Sequence, residues 1–475
     1  MTKKKENTGR RIRLSCFTLF MKRFNTILFV IMLLAQTVYG QGIIGSWKGL
    51  LDVGAVKLNI VFHFQNEDNG SVTCKLDSPD QGVKGITANV IHISSDSVKV
   101  SIPLLGVSYG GHLSDDIIKG VFSQAGYDFT LDLKKGNYMS DRPQTPVSPY
   151  PYKTEEISFV NQEDNAVLAG TLTYPVGYDE SAAKGSVPVV LMVTGSGLQN
   201  RDEEVFDHKP FLVIADYLAR NGIASLRYDD RSFGKSTGNA STATTKTFMS
   251  DAKNGIDYLK SMDKFGKIGV LGHSEGGTIA FMLGAEKHAD FIISMAGAAV
   301  RGDKILVEQN RIALMYAGMS ASDVQAYCAA LEKICEYKSN NGGLTDAGAF
   351  EKIIRDNASD ISEEAKENLK KVMNMDNPWM DYFVSYDPAS DIKRVTCPVF
   401  ALNGSLDTQV VAAQNLPVIR KLLPAHKFNA IKEYPGLNHL FQHAVTGNLT
   451  EYNKISETMS EEVLKDIVGW IKSLE

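Results

Sequence analysis

Ile268-Gly-Val-Leu-Gly-His-Ser-Glu-Gly-Gly-Thr-Ile-Ala-Phe-Met-Leu-Gly-Ala285 reads in three parts. Residues 268–271 are a short apolar run, residues 272–276 fit G-x-S-x-G, and a helical pattern follows from Gly276. A serine on a sharp strand-to-helix turn needs strained backbone angles and a close approach of neighbouring chain. Gly272 and Gly276 have no Cβ to clash there. The Ser274 hydroxyl then stands clear of the strand at the start of the helix. G-x-S-x-G alone arises by chance in many chains. The strand before it and the helix after it are what give it weight.

Working outward, apolar strands and amphipathic helices alternate on both sides. A hairpin is expected at 156–160 and 168–174, then a strand at 187–193 (Val-Pro-Val-Val-Leu-Met-Val). Helix 211–221, strand 224–228, helix 247–262, strand 267–271, helix 276–287 and strand 291–295 follow. Continuous apolar strands separated by helices imply a parallel sheet covered on both faces. Residues 303–386 interrupt the rhythm and read as helical throughout, with Val324, Tyr327, Cys328, Leu331 and Cys335 at i, i+3, i+4, i+7 spacing. The rhythm resumes with strand 397–402, helix 411–423, strand 428–434 and helix 461–474. A helical insertion between two late strands is positioned to form a cap.

A free serine hydroxyl is a poor nucleophile and needs a base. In the strand–turn–helix architecture the partners follow in the order Ser, Asp/Glu, His. Beyond strand 397–402 lie His426, His439 and His443. His426 falls before the last strand. His439, in Pro435-Gly-Leu-Asn-His439, follows that strand at the edge where Ser274 lies, and is the expected base. His443, one turn on, reads as structural or supporting. Asn403-Gly-Ser-Leu-Asp407 supplies the acid, whose task is to fix the imidazole tautomer. Asp387 and Asp391 precede the strand and read as turn or cap residues. Two backbone N–H donors are needed for an oxyanion. Glu275 is expected to give one, and Ser196 the other, with Gly197 as fallback, from Thr194-Gly-Ser-Gly197.

The first 152 residues have a different character. Lys3, Lys4, Lys5, Arg10, Arg11, Arg13, Lys22 and Arg23 precede an apolar run from Ile27 to Ala35. Val38 and Gly40 suit a cleavage site before Gln41, so residues 1–40 are expected to be a signal peptide, with Met21 able to open a compact signal by itself. The run is short for a membrane span, and export to the periplasm or beyond is expected, with no stable span after processing. From residue 41 to 138 the pattern has period two, as in Val56, Leu58, Ile60, Phe62 and Phe64, with about eight runs broken by Gly, Asn and Asp turns. That predicts a small antiparallel barrel or sandwich. Four prolines in 139–152 predict an extended linker, leaving 153–475 as the α/β unit with its cap.

The chain has 50 Lys+Arg and 55 Asp+Glu. Residues 1–40 hold eight of the former and one Glu, so the remainder carries a net charge of −12. A basic nucleic-acid groove is not expected. Cys74, Cys328, Cys335 and Cys397 form no CxxC or Cys/His cluster. Cys328 and Cys335 are two helical turns apart, about 10 Å, too far for a disulfide. No metal and no cofactor is expected, and the sequence leaves the oligomeric state open.

Gly195-Ser-Gly-Leu-Gln-Asn-Arg-Asp-Glu203, Arg227-Tyr-Asp-Asp-Arg231 with Gly234-Lys-Ser236, and GHSEGG together resemble the bacterial esterase D-like α/β-hydrolases, near the serine aminopeptidase-like and prolyl-oligopeptidase-like groups. The resemblance covers about residues 150–475. It implies the α/β-hydrolase fold, with Ser274, Asp407 and His439 as triad, and hydrolysis of small-molecule carboxylic esters with short acyl groups. Thr194 stands where the family has histidine, and Ser232 where it has glycine. Arg201, Asp202, Asp229, Asp230 and Arg231 are expected to brace the loops as an ion-pair network. The alternative is a serine peptidase, for which Glu203 or Glu204 would hold a substrate amine. Trp379, Met380, Tyr382 and Phe383, at the end of the insertion, are expected to line the acyl pocket.

Overall fold

In the computed structural model, which describes residues 42–474 except 55, 139–140, 184, 343–345 and 375–376, the chain divides between Ser140 and Asp141 into two units. The segment expected as a signal peptide lies outside the described residues.

Period-two alternation builds the first unit. Its strands are β1 (Gly45–Asp52), β2 (Lys57–Asn66), β3 (Val72–Ser78), β4 (Val83–Ile93), β5 (Ser97–Ile102), β6 (Val107–Ser114), β7 (Ile117–Gln124), β8 (Tyr127–Thr130) and β9 (Leu133–Lys135). Neighbours pair antiparallel in the order β6-β5-β4-β3-β2-β1-β9-β7, and β6–β7 pairing closes the ring, with β8 alongside β7. The result is a closed eight-stranded antiparallel barrel. Its interior is filled by side chains such as Trp47, Ile60, Phe62, Phe64 and Tyr109. Val56, expected on that inner face, precedes β2 and is exposed.

The second unit begins with the proline-rich stretch, which is bound along its surface rather than spanning free. Gln144 takes the N–H groups of Thr458 and Met459, and the Tyr152 hydroxyl donates to Asp216. Next comes the hairpin β10 (Thr154–Val160) and β11 (Val167–Thr173), then β12 (Val189–Val193), β13 (Ala224–Tyr228), β14 (Ile268–His273), β15 (Phe291–Met295), β16 (Val399–Gly404) and β17 (Ala430–Tyr434). They form one sheet in the order β10-β11-β13-β12-β14-β15-β16-β17, with every pair from β13 onward parallel. This is the α/β-hydrolase sheet.

Every residue of β12 is buried, and alternation sorts them. Val189, Leu191 and Val193 pack into the core under α2 (Thr245–Ser261), α3 (Glu275–Ala285) and α9 (Ala412–Leu422). Val190 and Met192 enter the opposite core, under α1 (Pro210–Arg220) and α10 (Glu461–Lys472). Burial on both faces is why the strands read as unbroken apolar runs.

Between β15 and β16, among the described residues, stand five helices of eight residues or more, α4 (Gly302–Tyr316), α5 (Ala321–Asn340), α6 (Ala347–Asn357), α7 (Glu363–Met373) and α8 (Pro378–Ser385), followed by one helical turn at Ala389–Ile392. They have their own core of residues such as Tyr327, Leu331, Ile334, Phe350 and Leu369. Cys335 is buried, Cys328 half-buried, and both are free thiols. Ser320, Asp346, Ser362 and Asn377 cap α5, α6, α7 and α8 through their side chains, supplying acceptors to N–H groups that no helical carbonyl reaches.

Candidate functional site

Ser274 sits between β14 and α3 with φ 55° and ψ −117°, a conformation costing about 1–3 kcal/mol for a residue with a side chain. The surroundings hold it there. Its N–H donates to the Met295 carbonyl at 2.8 Å, and its carbonyl accepts from Gly277 N–H at 3.0 Å. A Cβ on Gly272 would lie 1.8 Å from the Gly276 carbonyl oxygen, and one on Gly276 would lie 2.0 Å from the Val193 oxygen. Both positions therefore demand glycine, for close approach rather than for torsional freedom.

His439 and Asp407 come from loops after β17 and β16. His439 Nδ1 donates to Asp407 Oδ2 at 2.7 Å, and both side chains are buried. The other Asp407 oxygen accepts the N–H groups of Gln409 and Val410, each at 2.8 Å. Those bonds fix the carboxylate, which in turn fixes the ring. His443 is exposed and bonded to Glu457. His426 accepts the Phe428 N–H on the helix–strand connection. Asp387 caps the short turn that holds Asp391.

The Thr194–Gly197 loop lies against the serine, since a Cβ on Gly195 would be 3.1 Å from that of Ser274. The Gly195 N–H is occupied by Glu203 Oε1 at 3.0 Å. Ser196 borders the same space as Ser274 and Glu275, whereas Gly197, at φ 91°, faces a separate small hollow with Asp230. Of the two candidates for the second donor, Ser196 is the one beside Ser274.

Two buried carboxyls underpin this loop. Thr194 Oγ1 and Gln199 N–H both donate to Asp230. Burial pushes Asp230 up to about 7 despite those bonds, with the charges of Glu275 and Asp251 adding to the effect. The Glu275 carboxyl accepts from Thr245 at 2.6 Å and from the indole N–H of Trp379 at 2.8 Å. Burial raises it too, against those donors and the Ser196 hydroxyl. Among the residues expected to form an ion-pair network, Arg201 clasps Asp229 through two nitrogens, Arg227 pairs with Asp202, and Arg231 holds Asp251 and Asp164. Asp230 stands apart from these pairs, bonded instead to a hydroxyl and a backbone N–H.

One arrangement has no counterpart in the sequence reading. His273, the residue before Ser274, places Nδ1 2.9 Å from Glu203 Oε1 and Nε2 2.9 Å from the carbonyl oxygen of His439. Its ring centroid is 4.6 Å from that of His439. Burial by itself would lower the His273 pKa, but the charge and hydrogen bond of Glu203, with the His439 carbonyl, hold it above the usual value. Both nitrogens face acceptors, so the geometry is that of an imidazolium.

Two spaces meet at Ser274. The smaller, about 50 Å³, is walled by Ala298, Val300, Ile305, Phe383, Tyr386 and Val410. The larger, about 520 Å³, contains His439 together with Gln199, Asn200, Gln409 and Tyr452. Of the four residues expected at an acyl pocket, Phe383 borders both spaces, and Trp379 and Met380 border only the larger. Tyr382 borders neither and stacks on Tyr386 at 5.4 Å. Tyr386 was not anticipated, although it lies seven residues from Trp379 and four from Tyr382, at helical spacing.

Residues 164–434 match the sequence profile of the X-Pro dipeptidyl-peptidase (S15) family. Esterase EstD of Thermotoga maritima is 27% identical over 306 residues, 64% of this chain, and the match spans 65% of that relative's length. Among solved structures, esterase Pf2001 of Pyrococcus furiosus is 16% identical, covering 71% of this chain and 99% of the other at a TM-score of 0.41. Est1E of Butyrivibrio proteoclasticus, with ferulic acid bound, is 16% identical, covering 66% and 99% at 0.40.

Proposed function

The chain belongs to the X-Pro dipeptidyl-peptidase (S15) family of hydrolases, and on that premise we propose that it is an exported serine esterase cleaving short-acyl carboxylic esters. The observation that carries the reading is the convergence of Ser274, on its strained turn, with the hydrogen-bonded His439–Asp407 pair at one cleft. In the proposed sequence the Ser274 oxygen attacks the ester carbonyl while its proton passes to His439 Nε2. The N–H groups of Glu275 and Ser196 take the developing oxyanion. The C–O bond then breaks, the leaving oxygen takes the proton from His439, and an acyl-enzyme remains. Water, deprotonated by the same histidine, releases the acid and restores the serine.

The family description favours a second reading, release of an X-Pro dipeptide. Two features weigh against it. A dipeptidyl acyl group needs more room than the 50 Å³ of the smaller space, the one at Ser274 that His439 does not border. Its amine needs a carboxylate, and Glu203 is engaged by His273 and Gly195 while Glu204 meets Asn200 and Lys209. Export rests on the basic and apolar pattern of residues 1–40.

Nitrophenyl esters of increasing chain length assayed beside Ala-Pro-nitroanilide decide between the readings. Turnover of acetyl and butyryl esters, lost in Ser274→Ala, is expected. Faster cleavage of the dipeptide anilide would refute the esterase reading. N-terminal sequencing of the secreted product should begin at Gln41.

A further inference from the structure

The two spaces at Ser274 differ in more than size. His439 borders only the larger one. A histidine that hands its proton to the leaving oxygen must lie on the leaving group's side of the ester. The acyl group is thereby assigned to the small apolar space, and the alcohol to the cleft of about 520 Å³, within the range of about 300–1,000 Å³ usual for small-molecule sites.

The chemistry of that cleft is specific. Gln199, Gln309 and Gln409 border it, Gln309 reaching the smaller space as well. Their amide nitrogens donate to the Ser196 carbonyl, the Gln409 carbonyl and the Tyr452 hydroxyl. Among the described residues none of the three side-chain carbonyl oxygens receives a protein hydrogen bond. An amide that already spends a donor and keeps its acceptor open suits a hydroxyl, which can donate to it. At the rim Leu198, Phe233 and Leu449 are exposed apolar side chains. An aliphatic alcohol would cover the rim but strip water from the amides without replacing it. An amine-bearing peptide would need a carboxylate of its own, and Glu203 is already engaged by His273 and Gly195.

We propose, resting on the esterase reading above, that this cleft is a binding site for a polyhydroxylated leaving alcohol, a sugar carrying a small acyl ester. The amides take its hydroxyls, and the apolar face of the ring lies on Phe233. Hydrolysis then adds the elements of water across the ester, giving the short acid and the free sugar.

Acetate release from ethyl acetate, octyl acetate, 6-O-acetylglucose and mono-O-acetylmaltose tests this with the purified enzyme. The acetylated sugars should exceed ethyl acetate in kcat/KM by at least tenfold. Phe233→Ala should reduce that ratio about tenfold, the scale of one aromatic contact, and Gln309→Ala should reduce it independently, with melting temperature as the check on folding. Equal kcat/KM for all acetates, a preference for octyl acetate, or an unchanged ratio in both variants would overturn the sugar site while leaving Ser274-dependent ester cleavage intact. No turnover of any ester would remove the esterase reading and the site with it, an outcome distinguishable from the others by its extent.

Discussion

His273 is the residue whose replacement tests the site most sharply. Its two nitrogens each face an oxygen at 2.9 Å. A neutral ring would aim one lone pair at an oxygen, whereas the doubly protonated ring satisfies both. A cation therefore lies beside the ring of His439, the proposed base. Two unit charges at the observed ring separation of 4.6 Å repel by about 4 kcal/mol at an effective dielectric near 20. Glu203, just beyond Nδ1, offsets part of this repulsion. Other charges facing His273 are few: Asp407 acts at longer range, and Phe441 covers one edge of the ring.

His273→Gln removes the cation and leaves Glu203 in place, so the acid limb of kcat/KM for nitrophenyl acetate is expected to move to higher pH. Glu203→Gln should move it the same way by less, because an imidazole without its counter-charge in a buried site gives up one proton and both charges are lost together. The double variant should move the limb no further than His273→Gln does. Ring nitrogen NMR of the enzyme labelled with nitrogen-15 histidine reports the state of His273 directly, since an imidazolium shows two protonated nitrogens. An acid limb unmoved in both single variants, or additive shifts in the double, would refute the coupling of this pair to the base.

Four further outcomes follow from the same geometry. Ser274→Ala should lose ester turnover and fluorophosphonate labelling by a factor on the order of a million, or somewhat less, while remaining folded. Gly276→Ala, whose Cβ would meet the Val193 oxygen at 2.0 Å, should cost about 3 kcal/mol or more in urea unfolding. Asp230, raised to about 7, favours the fold in its protonated form. That contribution is complete below the ordinary carboxylate range and lost as pH rises through about 7. Asp230→Asn should accordingly flatten the decline of melting temperature between pH 4 and 8. Phe383→Ala opens the small space, and hexanoyl esters should gain on acetyl esters, by up to about 0.8 kcal/mol per newly buried methylene. An unchanged chain-length ratio would place the acyl group elsewhere.

The parts of this molecule that local pattern encodes were legible in its sequence, and the parts that depend on distant pairing were not. Strand burial on both faces leaves unbroken apolar runs, and the serine turn carries its own glycines, so the sheet and the position of Ser274 could be read from residues a few places apart. His439 and Asp407 could be placed because chain order in such a sheet fixes which loops meet at its carboxyl edge. Glu203 shows where this fails. As a sequence feature it is a charge near the oxyanion loop, open to assignment as an amine anchor. Only the approach of His273, 70 positions away, shows that its carboxylate is already engaged and reassigns it to joining the Gly195 loop to the turn before Ser274. Trp379 fails similarly, its indole bound to a carboxyl 104 positions distant. Tyr382 is a different case. Trp379, Tyr382, Phe383 and Tyr386 fall on one stripe by helical spacing, yet Tyr382 stacks on Tyr386 and borders neither space. Helical phase, which the sequence does hold, groups these four aromatics, and only the packing around them separates wall from support.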